Sequence, residues 1–234
     1  MLLSMIMSLF RGENIDAFQV IIYVLSALAV IFLTMPVHEF AHAWSAYKLG
    51  DGTQRYAGRL TLNPMAHIDY VGALAILLVG FGWAKPVQVN PFYFKKPKVG
   101  MAITAFAGPF ANLLVAVCSV ILCSVSAHLF LSVESEIIFY VFYFFYYIAL
   151  INISLAVFNL IPVPPLDGSK VLSVILPDRI YFKLMQYEQY LYFLLIILLV
   201  SDVLDRPIQI VTNLFLNLFA NITFMPDLFH AIFF

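Results

Sequence analysis

The chain has 234 residues, of which 63% are hydrophobic and 11% are charged, and its formal net charge is −1. A soluble domain keeps about a quarter of its residues charged, so this composition excludes an ordinary soluble enzyme and indicates a polytopic membrane protein. The chain has neither a basic tail nor an acidic run, and nothing in its charge pattern points to nucleic acid.

Apolar segments long enough for membrane helices recur along the whole chain. We expect an all-α polytopic membrane protein with about five to six transmembrane helices. The long helices are predicted at 17–49, 99–131, 136–161, 186–202 and 207–226. No internal repeat and no shift in composition marks a second domain. The prediction is one membrane domain, 1–234, with a catalytic core at about 17–177 and C-terminal helices at about 186–226.

Shorter segments lie between the long ones. Residues 70–82 are too few for a comfortable span, so this run either re-enters the membrane or lies under other helices. Residues 53–62 and 85–91 alternate polar and apolar side chains, which predicts two short strands that pair at the membrane edge. Residues 166–177 predict a short helical piece that ends at Pro177.

Basic residues are distributed unevenly between the connecting segments, and this asymmetry predicts the orientation. Most of them fall in segments that we assign to one side, among them Lys48, Lys98 and Lys170, whereas Arg11 and Arg206 are assigned to the other side. The side with more basic residues is expected to face the cytoplasm of a prokaryotic cell.

The first long apolar segment contains the sequence His38-Glu39-Phe40-Ala41-His42, an H-E-x-x-H motif. Residues four apart lie on one face of a helix, so both imidazoles can reach one metal ion, while Glu39 lies beside them as a base. Zinc suits two imidazoles and takes a third protein ligand in catalytic sites. The alternative is a hydrogen-bonded pair of core histidines, but burying these groups in lipid without compensation is costly.

Asp167 is the candidate for the third ligand. It follows three prolines that cannot continue a helix, and irregular backbone at membrane depth is tolerated when it is buried in protein or lines a wet cavity. Asp167 could instead, or in addition, cap the short helix that follows. His67 is the rival ligand, since imidazole competes well for zinc. His128 and His230 have no acidic or histidine partner at ligand spacing and are expected to be interfacial.

The H-E-x-x-H motif followed by "NLIPVPPLDG" resembles the site-2 protease family of intramembrane zinc metalloproteases. Further matching segments are "AGPFANLL", "NPMAHID" and "GWAKPVQVNP", so the resemblance covers roughly residues 34–170. This chain has Pro-Leu-Asp-Gly where other members have Asn-Pro-Asp-Gly, a difference that leaves the ligand itself in place. No PDZ-like segment is recognisable, so the chain looks like a small member.

The resemblance implies that His38, His42 and Asp167 bind one Zn²⁺ and that Glu39 is the general base. It also implies that Asn112 holds the substrate or the oxyanion, although an asparagine in a membrane helix can equally tie two helices together. Asn152 and Asn159 raise the same question, and a structural role is favoured for Asn152.

The implied function is hydrolysis of peptide bonds in transmembrane protein substrates, within the lipid bilayer and near its cytoplasmic side. Two alternatives are a membrane metal-ion transporter that uses the His/Asp cluster and a non-catalytic membrane scaffold. Transporters often show repeated halves and polar residues along a path across the bilayer, and the sequence shows neither. Glu39 separates these functions, because only the protease requires a base beside the ligands.

Overall fold

The computed structural model describes residues 2, 17–79, 82–201, 203–227 and 229. A π-helical turn, Val30–Thr34, joins the first two helices, and short 3₁₀ turns lie at Pro64–Ala66 and Pro91–Tyr93. The described residues form ten α-helices: α1 (Ala17–Ala29), α2 (Met35–Lys48), α3 (Thr53–Tyr56), α4 (Tyr70–Val79), α5 (Pro97–Val133), α6 (Glu136–Asn159), α7 (Asp167–Leu172), α8 (Asp178–Gln186), α9 (Glu188–Val200) and α10 (Asp205–Ile222).

Three of these helical segments are long and apolar enough to cross a membrane: the continuous helix Ala17–Lys48, α5 and α6. They confirm the predictions at 17–49, 99–131 and 136–161 to within a few residues. By length and composition, the described residues therefore contain three such helices and not the five to six expected. The prediction for the C-terminal region fails this criterion because α9 has only 13 residues and α10 carries several polar side chains.

The two predicted strands are wrong, since the described residues contain no strand. The first segment begins with a single helical turn, α3, because the Asp51 carboxylate accepts hydrogen bonds from the backbone N–H and the hydroxyl of Thr53. The second segment runs without helix or strand, and the Gln54 side chain donates a hydrogen bond to the Gln88 carbonyl. A side chain thus makes the contact that a neighbouring strand would have made.

Small residues allow the long helices to approach closely. Ala27 of α1, Ala116 of α5 and Ala149 of α6 are fully buried. Lipid is as apolar as a protein core, so helices in a membrane associate through close packing and hydrogen bonds and gain little from the hydrophobic effect. One such hydrogen bond runs from the Ser26 hydroxyl of α1 to the Phe144 carbonyl of α6, 3.0 Å away.

The π-helical turn lies directly before the H-E-x-x-H motif. The Met35 N–H donates to the Val30 carbonyl, five residues back, so one extra residue is accommodated in this turn. Pro36 follows and has no N–H to donate. Such π-bulges often occur at functional sites, and this one sets the direction in which α2 presents its side chains.

The C-terminal helix α10 begins at the end of the molecule where α6 finishes. Ile208 packs with Phe158 and Leu166, and further along, Leu216 and Phe219 pack in a cluster that includes Phe142. Helix α10 therefore runs antiparallel to α6. The assignment of Arg206 to the side opposite Lys170 is wrong, because the short helix α9 does not carry the chain to the other end of α6.

Candidate metal centre

His38, Glu39 and His42 lie on α2 and are all buried. Their spacing on a helix places the two histidine rings one above the other, with centroids 4.6 Å apart and planes nearly perpendicular. The two Nε2 atoms are 3.0 Å apart. The motif that the sequence analysis identified therefore directs two imidazole nitrogens to one point.

Asp167 is brought to the same point by the proline-rich segment. Its Oδ2 atom lies 3.1 Å from His42 Nε2 and 3.7 Å from His38 Nε2. Leu166 occupies the cap position of α7 and makes no side-chain capping bond, and Asp167 Oδ1 accepts a hydrogen bond from Lys170 Nζ at 3.4 Å. Gly168 allows this close arrangement, since a Cβ there would lie 2.2 Å from the Leu160 carbonyl oxygen. The carboxylate thus faces the imidazoles instead of capping the helix.

The three converging atoms fit a zinc ion. A tetrahedral site with Zn–ligand distances of about 2.0–2.2 Å separates its ligand atoms by about 3.3–3.6 Å. The observed separations of 3.0, 3.1 and 3.7 Å surround these values. In the described part of the chain, His38, His42 and Asp167 are the group of potential ligands close enough to share one metal ion.

A contact that the sequence analysis missed orients one of the imidazoles. His42 Nδ1 lies 2.7 Å from the Thr104 carbonyl of α5, and a carbonyl only accepts, so this nitrogen carries the proton. The neutral ring then has its lone pair on Nε2, the atom that faces His38 and Asp167. A hydrogen bond that orients the imidazole in this way is typical of metal-binding histidines. The sequence does not reveal it, because the acceptor is a backbone atom.

Gly108 of α5 lies directly against both imidazoles. A Cβ at this position would be 2.3 Å from His42 Nε2 and 2.7 Å from His38 Cε1. Such distances are far below van der Waals contact, so any larger residue must displace a candidate ligand. This requirement gives a physical reason for the glycine in the "AGPFANLL" segment.

A cavity of about 280 Å³ adjoins the three ligand atoms. Glu39 and Asn112 line it, and Glu39 Oε2 is buried without a hydrogen-bond partner among the described residues. Asn112 has no hydrogen bond to another helix in the described chain, so the interpretation that it ties helices together gains no support. Asn159 also lines the cavity. The amides of Asn152 and Asn159 each donate to a backbone carbonyl four residues back in their own helix, that of Ile148 and that of Leu155.

One wall of the cavity is the extended segment 82–90, which is fixed from behind by a group that we name the Asp51 anchor. The anchor consists of Asp51, Thr53, Gln54 and Asn90. Asp51 Oδ2 accepts the Asn90 N–H at 2.8 Å, and Gln54 donates to the Gln88 carbonyl. Asp51 and Gln54 are almost completely buried, at 0% and 1% exposure. The anchor therefore connects the end of α2 to the cavity wall.

The other histidines of the described chain do not join the cluster. His67 is buried and its Nε2 lies 2.8 Å from the Thr61 carbonyl, while its own carbonyl accepts the Lys85 N–H. The rival ligand thus supports the loop behind the cavity wall. His128 Nδ1 contacts the Ser124 carbonyl of its own helix. His230 lies outside the described residues.

Comparisons with known proteins agree with this geometry. A profile for "Peptidase family M50" matches residues 26–201. YwhC of Bacillus subtilis, named "Putative zinc metalloprotease", is 37% identical over 183 residues, or 76% of this chain and 84% of YwhC. Two proteins called Rip2 carry the same description. Rip2 of Mycolicibacterium smegmatis is 28% identical over 74% of this chain and 66% of its own length. Rip2 of Mycobacterium tuberculosis is 24% identical over 83% of this chain and 74% of its own length. No solved structure gives a significant match.

The matched segment contains the H-E-x-x-H motif, the cavity wall and Asp167, which are the parts of the chain that converge in the structure. It covers well over half of the chain, and the identity to YwhC extends across most of both proteins. The chain therefore belongs to peptidase family M50, the site-2 protease family of intramembrane zinc metalloproteases.

Proposed function

We propose that His38, His42 and Asp167 hold the catalytic zinc of this intramembrane metalloprotease and that Glu39 is its general base. The observation that carries the proposal is the buried Glu39 Oε2, which has no hydrogen-bond partner in the described part of the chain and lines the cavity next to the converging ligand atoms. A buried carboxylate oxygen without a partner costs folding free energy, so its presence suggests a partner that arrives with the reaction.

Zinc, when bound, supplies a Lewis acid that lowers the pKa of water to about 7 and polarises a carbonyl. Glu39 removes a proton from the attacking water and returns it to the nitrogen of the departing peptide. Asn112 lines the same cavity and presents an amide N–H₂ group to the oxyanion that develops on the attacked carbonyl.

The substrate must reach the cavity as an extended segment, because a helix keeps its carbonyls in internal hydrogen bonds. Val87 and Val89 of the cavity wall line the cavity, and in the described chain their N–H and C=O groups have no hydrogen-bond partner. An unwound substrate that lies against this wall would pair with these groups as an added strand. Val87→Pro or Val89→Pro should then weaken cleavage while the zinc content stays unchanged.

The orientation belongs to the same proposal. The metal centre lies at the end of the molecule where α2 finishes and α5 begins, and Lys48, Arg55, Lys95 and Lys98 are found in these connections. An excess of basic residues favours the cytoplasmic side, so cleavage is expected near the cytoplasmic face of a prokaryotic membrane. The whole chain 1–234 would act as one membrane-embedded catalytic domain.

The test compares Glu39→Gln with the matched variant Glu136→Gln at the exposed far end of α6. General-base catalysis contributes about 10²–10⁴-fold, so Glu39→Gln should reduce cleavage of a membrane-helix substrate by that factor while the chain keeps one zinc. Glu136→Gln should change neither quantity. Full activity of Glu39→Gln would contradict the proposed base.

Asp167→Ala completes the test, because it removes a proposed ligand and leaves Glu39 in place. Zinc content should fall together with cleavage. A transporter or a scaffold predicts a different result: Glu39→Gln would leave zinc uptake or partner binding intact, and wild-type protein in vesicles would not cleave the substrate.

A further inference from the structure

Helix α10 carries a row of carboxamide side chains at intervals of four residues: Gln209, Asn213, Asn217 and Asn221. Residues four apart form a continuous ridge along a helix, and this ridge is about 18 Å long. Gln209, Asn213 and Asn221 are exposed and Asn217 is half-buried. The row therefore lies outside the face that packs on α6.

The depth of α10 makes this row unusual. From Ile208 to Leu216 the helix follows α6 through the apolar clusters that contain Phe158 and Phe142. Near its end, the Thr223 carbonyl accepts the Ser124 hydroxyl of α5 at 2.8 Å. Helix α10 thus lies at the same depth as two membrane-spanning helices, and no described residue covers its carboxamides, so they face hydrocarbon unless another polar surface packs against them.

The adjacent surface of α10 is apolar, as a lipid-facing surface should be. Ile210, Leu214, Leu218 and Ile222 are each at least half exposed, from 50% to 69%. The carboxamides are satisfied only in part by their own helix: the Asn217 and Asn221 amides donate to the backbone carbonyls of Asn213 and Asn217, each at 2.8 Å. Within the described chain, the side-chain oxygens of Asn217 and Asn221 and the side chains of Gln209 and Asn213 are without a partner.

We infer that this polar row is the contact surface of a homodimer, in which α10 of one copy packs in parallel against α10 of a second copy. All copies insert into the membrane with the same orientation. A twofold axis along the membrane normal therefore brings each residue to the same depth as its own equivalent.

The chemistry of the row suits this symmetry. A carboxamide has both donors and an acceptor, so it can pair with an identical carboxamide, whereas an equivalent row of acids or bases would repel its own copy. Asparagine and glutamine side chains hydrogen-bond across membrane helices, and one polar residue in a helix interface can fix register and oligomeric state. A second copy is thus the occupant that pairs every member of the row at once.

Cysteine cross-linking in native membranes tests the inference, using a Cys118→Ser, Cys123→Ala background to remove the free thiols. Asn213→Cys and Asn217→Cys should each form a disulfide-linked dimer of the chain. Leu214→Cys is the matched control, since Leu214 lies on the apolar surface and is 69% exposed. A dimer band for the two row positions at least about tenfold stronger than for Leu214→Cys supports the homodimer.

Equal cross-linking at all three positions, or linkage of the row to a different protein, would overturn the inference. A second measurement uses energy transfer between labelled copies in lipid vesicles. Asn213→Leu/Asn217→Leu inserts readily into a membrane and should weaken self-association by about tenfold or more, whereas Leu214→Ala should leave it within about twofold. Unchanged association of the double variant would also overturn the homodimer.

Discussion

Two buried polar clusters lie at the same end of the molecule, and their carboxylates differ in how well they are hydrogen-bonded. In the candidate metal centre, Glu39 Oε2 and His38 Nδ1 have no hydrogen-bond partner among the described residues. In the Asp51 anchor, both carboxylate oxygens of Asp51 accept hydrogen bonds, including those from Thr53 and Asn90, although Gln54 Oε1 has no partner in the described chain. An unsatisfied buried carboxylate oxygen lowers stability, so its retention beside the candidate ligands points to a role other than stability. The hydrogen-bonded Asp51 carboxylate instead holds the cavity wall in place.

The ionisation of the anchor follows from these contacts. Burial by itself would raise the pKa of the Asp51 carboxyl, but hydrogen bonds from Thr53, Asn90 and Gln54 outweigh it and lower the pKa below its ordinary value. Because the pKa is lowered in the folded protein, the ionised Asp51 carboxylate stabilises the fold fully when the pH is above the ordinary pKa of about 3.9. This stabilisation is lost as the pH falls through the lower pKa of the folded state. Asp51 is therefore ionised throughout the neutral range, and the anchor should not contribute to the pH dependence of cleavage there.

The largest expected effect in this comparison comes from Gly108→Ala. The new methyl group would occupy the space of His42 Nε2, so we expect zinc affinity to fall by more than the 10–100-fold that is common for residues supporting a metal ligand. Zinc content after dialysis, measured together with cleavage, checks this. Gly52→Ala is the matched control, because a Cβ at Gly52 has nothing within 4 Å and its φ of −70° suits alanine. A Gly108→Ala protein that kept its zinc would show that the ligands can move apart.

Asp51→Ala should distinguish the contribution of the Asp51 anchor to cleavage from that of the candidate metal centre. It leaves the Asn90 and Thr53 N–H groups without their acceptor, which costs up to about 1–3 kcal/mol for a fully buried group and less for these two half-buried ones. We expect a 10–100-fold loss of cleavage, mainly through a higher KM, with zinc still near one per chain. Asp227→Ala, at an exposed position near the chain end, should have no effect. Loss of zinc together with cleavage in Asp51→Ala would mean that the anchor and the metal centre form one unit.

Gln54→Ala is the mildest test, since it removes one neutral donor to the Gln88 carbonyl, together with the longer 3.4 Å contact to the Asp51 carboxylate. A hydrogen bond of this kind contributes about 1 kcal/mol, which corresponds to about a fivefold rise in KM. Gln88→Ala is the control, because only the carbonyl of Gln88 takes part and its side chain is exposed. Equal effects of the two substitutions would argue that side-chain contacts of this segment, and not its fixed backbone, determine substrate binding.

The sequence predicts local features of this protein well and packing-dependent ones poorly. The placement of His38, Glu39 and His42 side by side could be predicted because their spacing on one helix is sufficient, and the approach of Asp167 because prolines and a glycine mark its irregular backbone. The contact between His42 and the Thr104 carbonyl could not be predicted, since a backbone atom of a distant helix leaves no sequence signal. The strand predictions failed because the alternation of polar and apolar residues at 53–62 and 85–91 does not reflect strand pairing. The two segments are instead held together on one face by side chains such as Gln54, which donates to the Gln88 carbonyl.

The same distinction explains the C-terminal region. The apolar character of 186–202 correctly predicted a helix. Only packing shows that α9 is too short to reach the other end of α6 and that Arg206 lies in the first turn of α10, close to Ile208, which packs on Phe158. The uneven distribution of charged residues between loops assigns each loop to a side of the membrane only when the number of membrane crossings is known. That number depends on tertiary structure.

The π-helical turn Val30–Thr34 has a consequence for how this helix tolerates insertions and deletions. Removing one residue from the turn would restore a regular α-helix and rotate everything before it by about 100° relative to the H-E-x-x-H motif. Ser26 would then point away from the Phe144 carbonyl, or the imidazoles would point away from Asp167. The turn thus sets the rotation of the first part of the helix relative to the H-E-x-x-H motif, so that both parts face their partners. A single-residue deletion there should damage folding and activity more than most substitutions in the same segment.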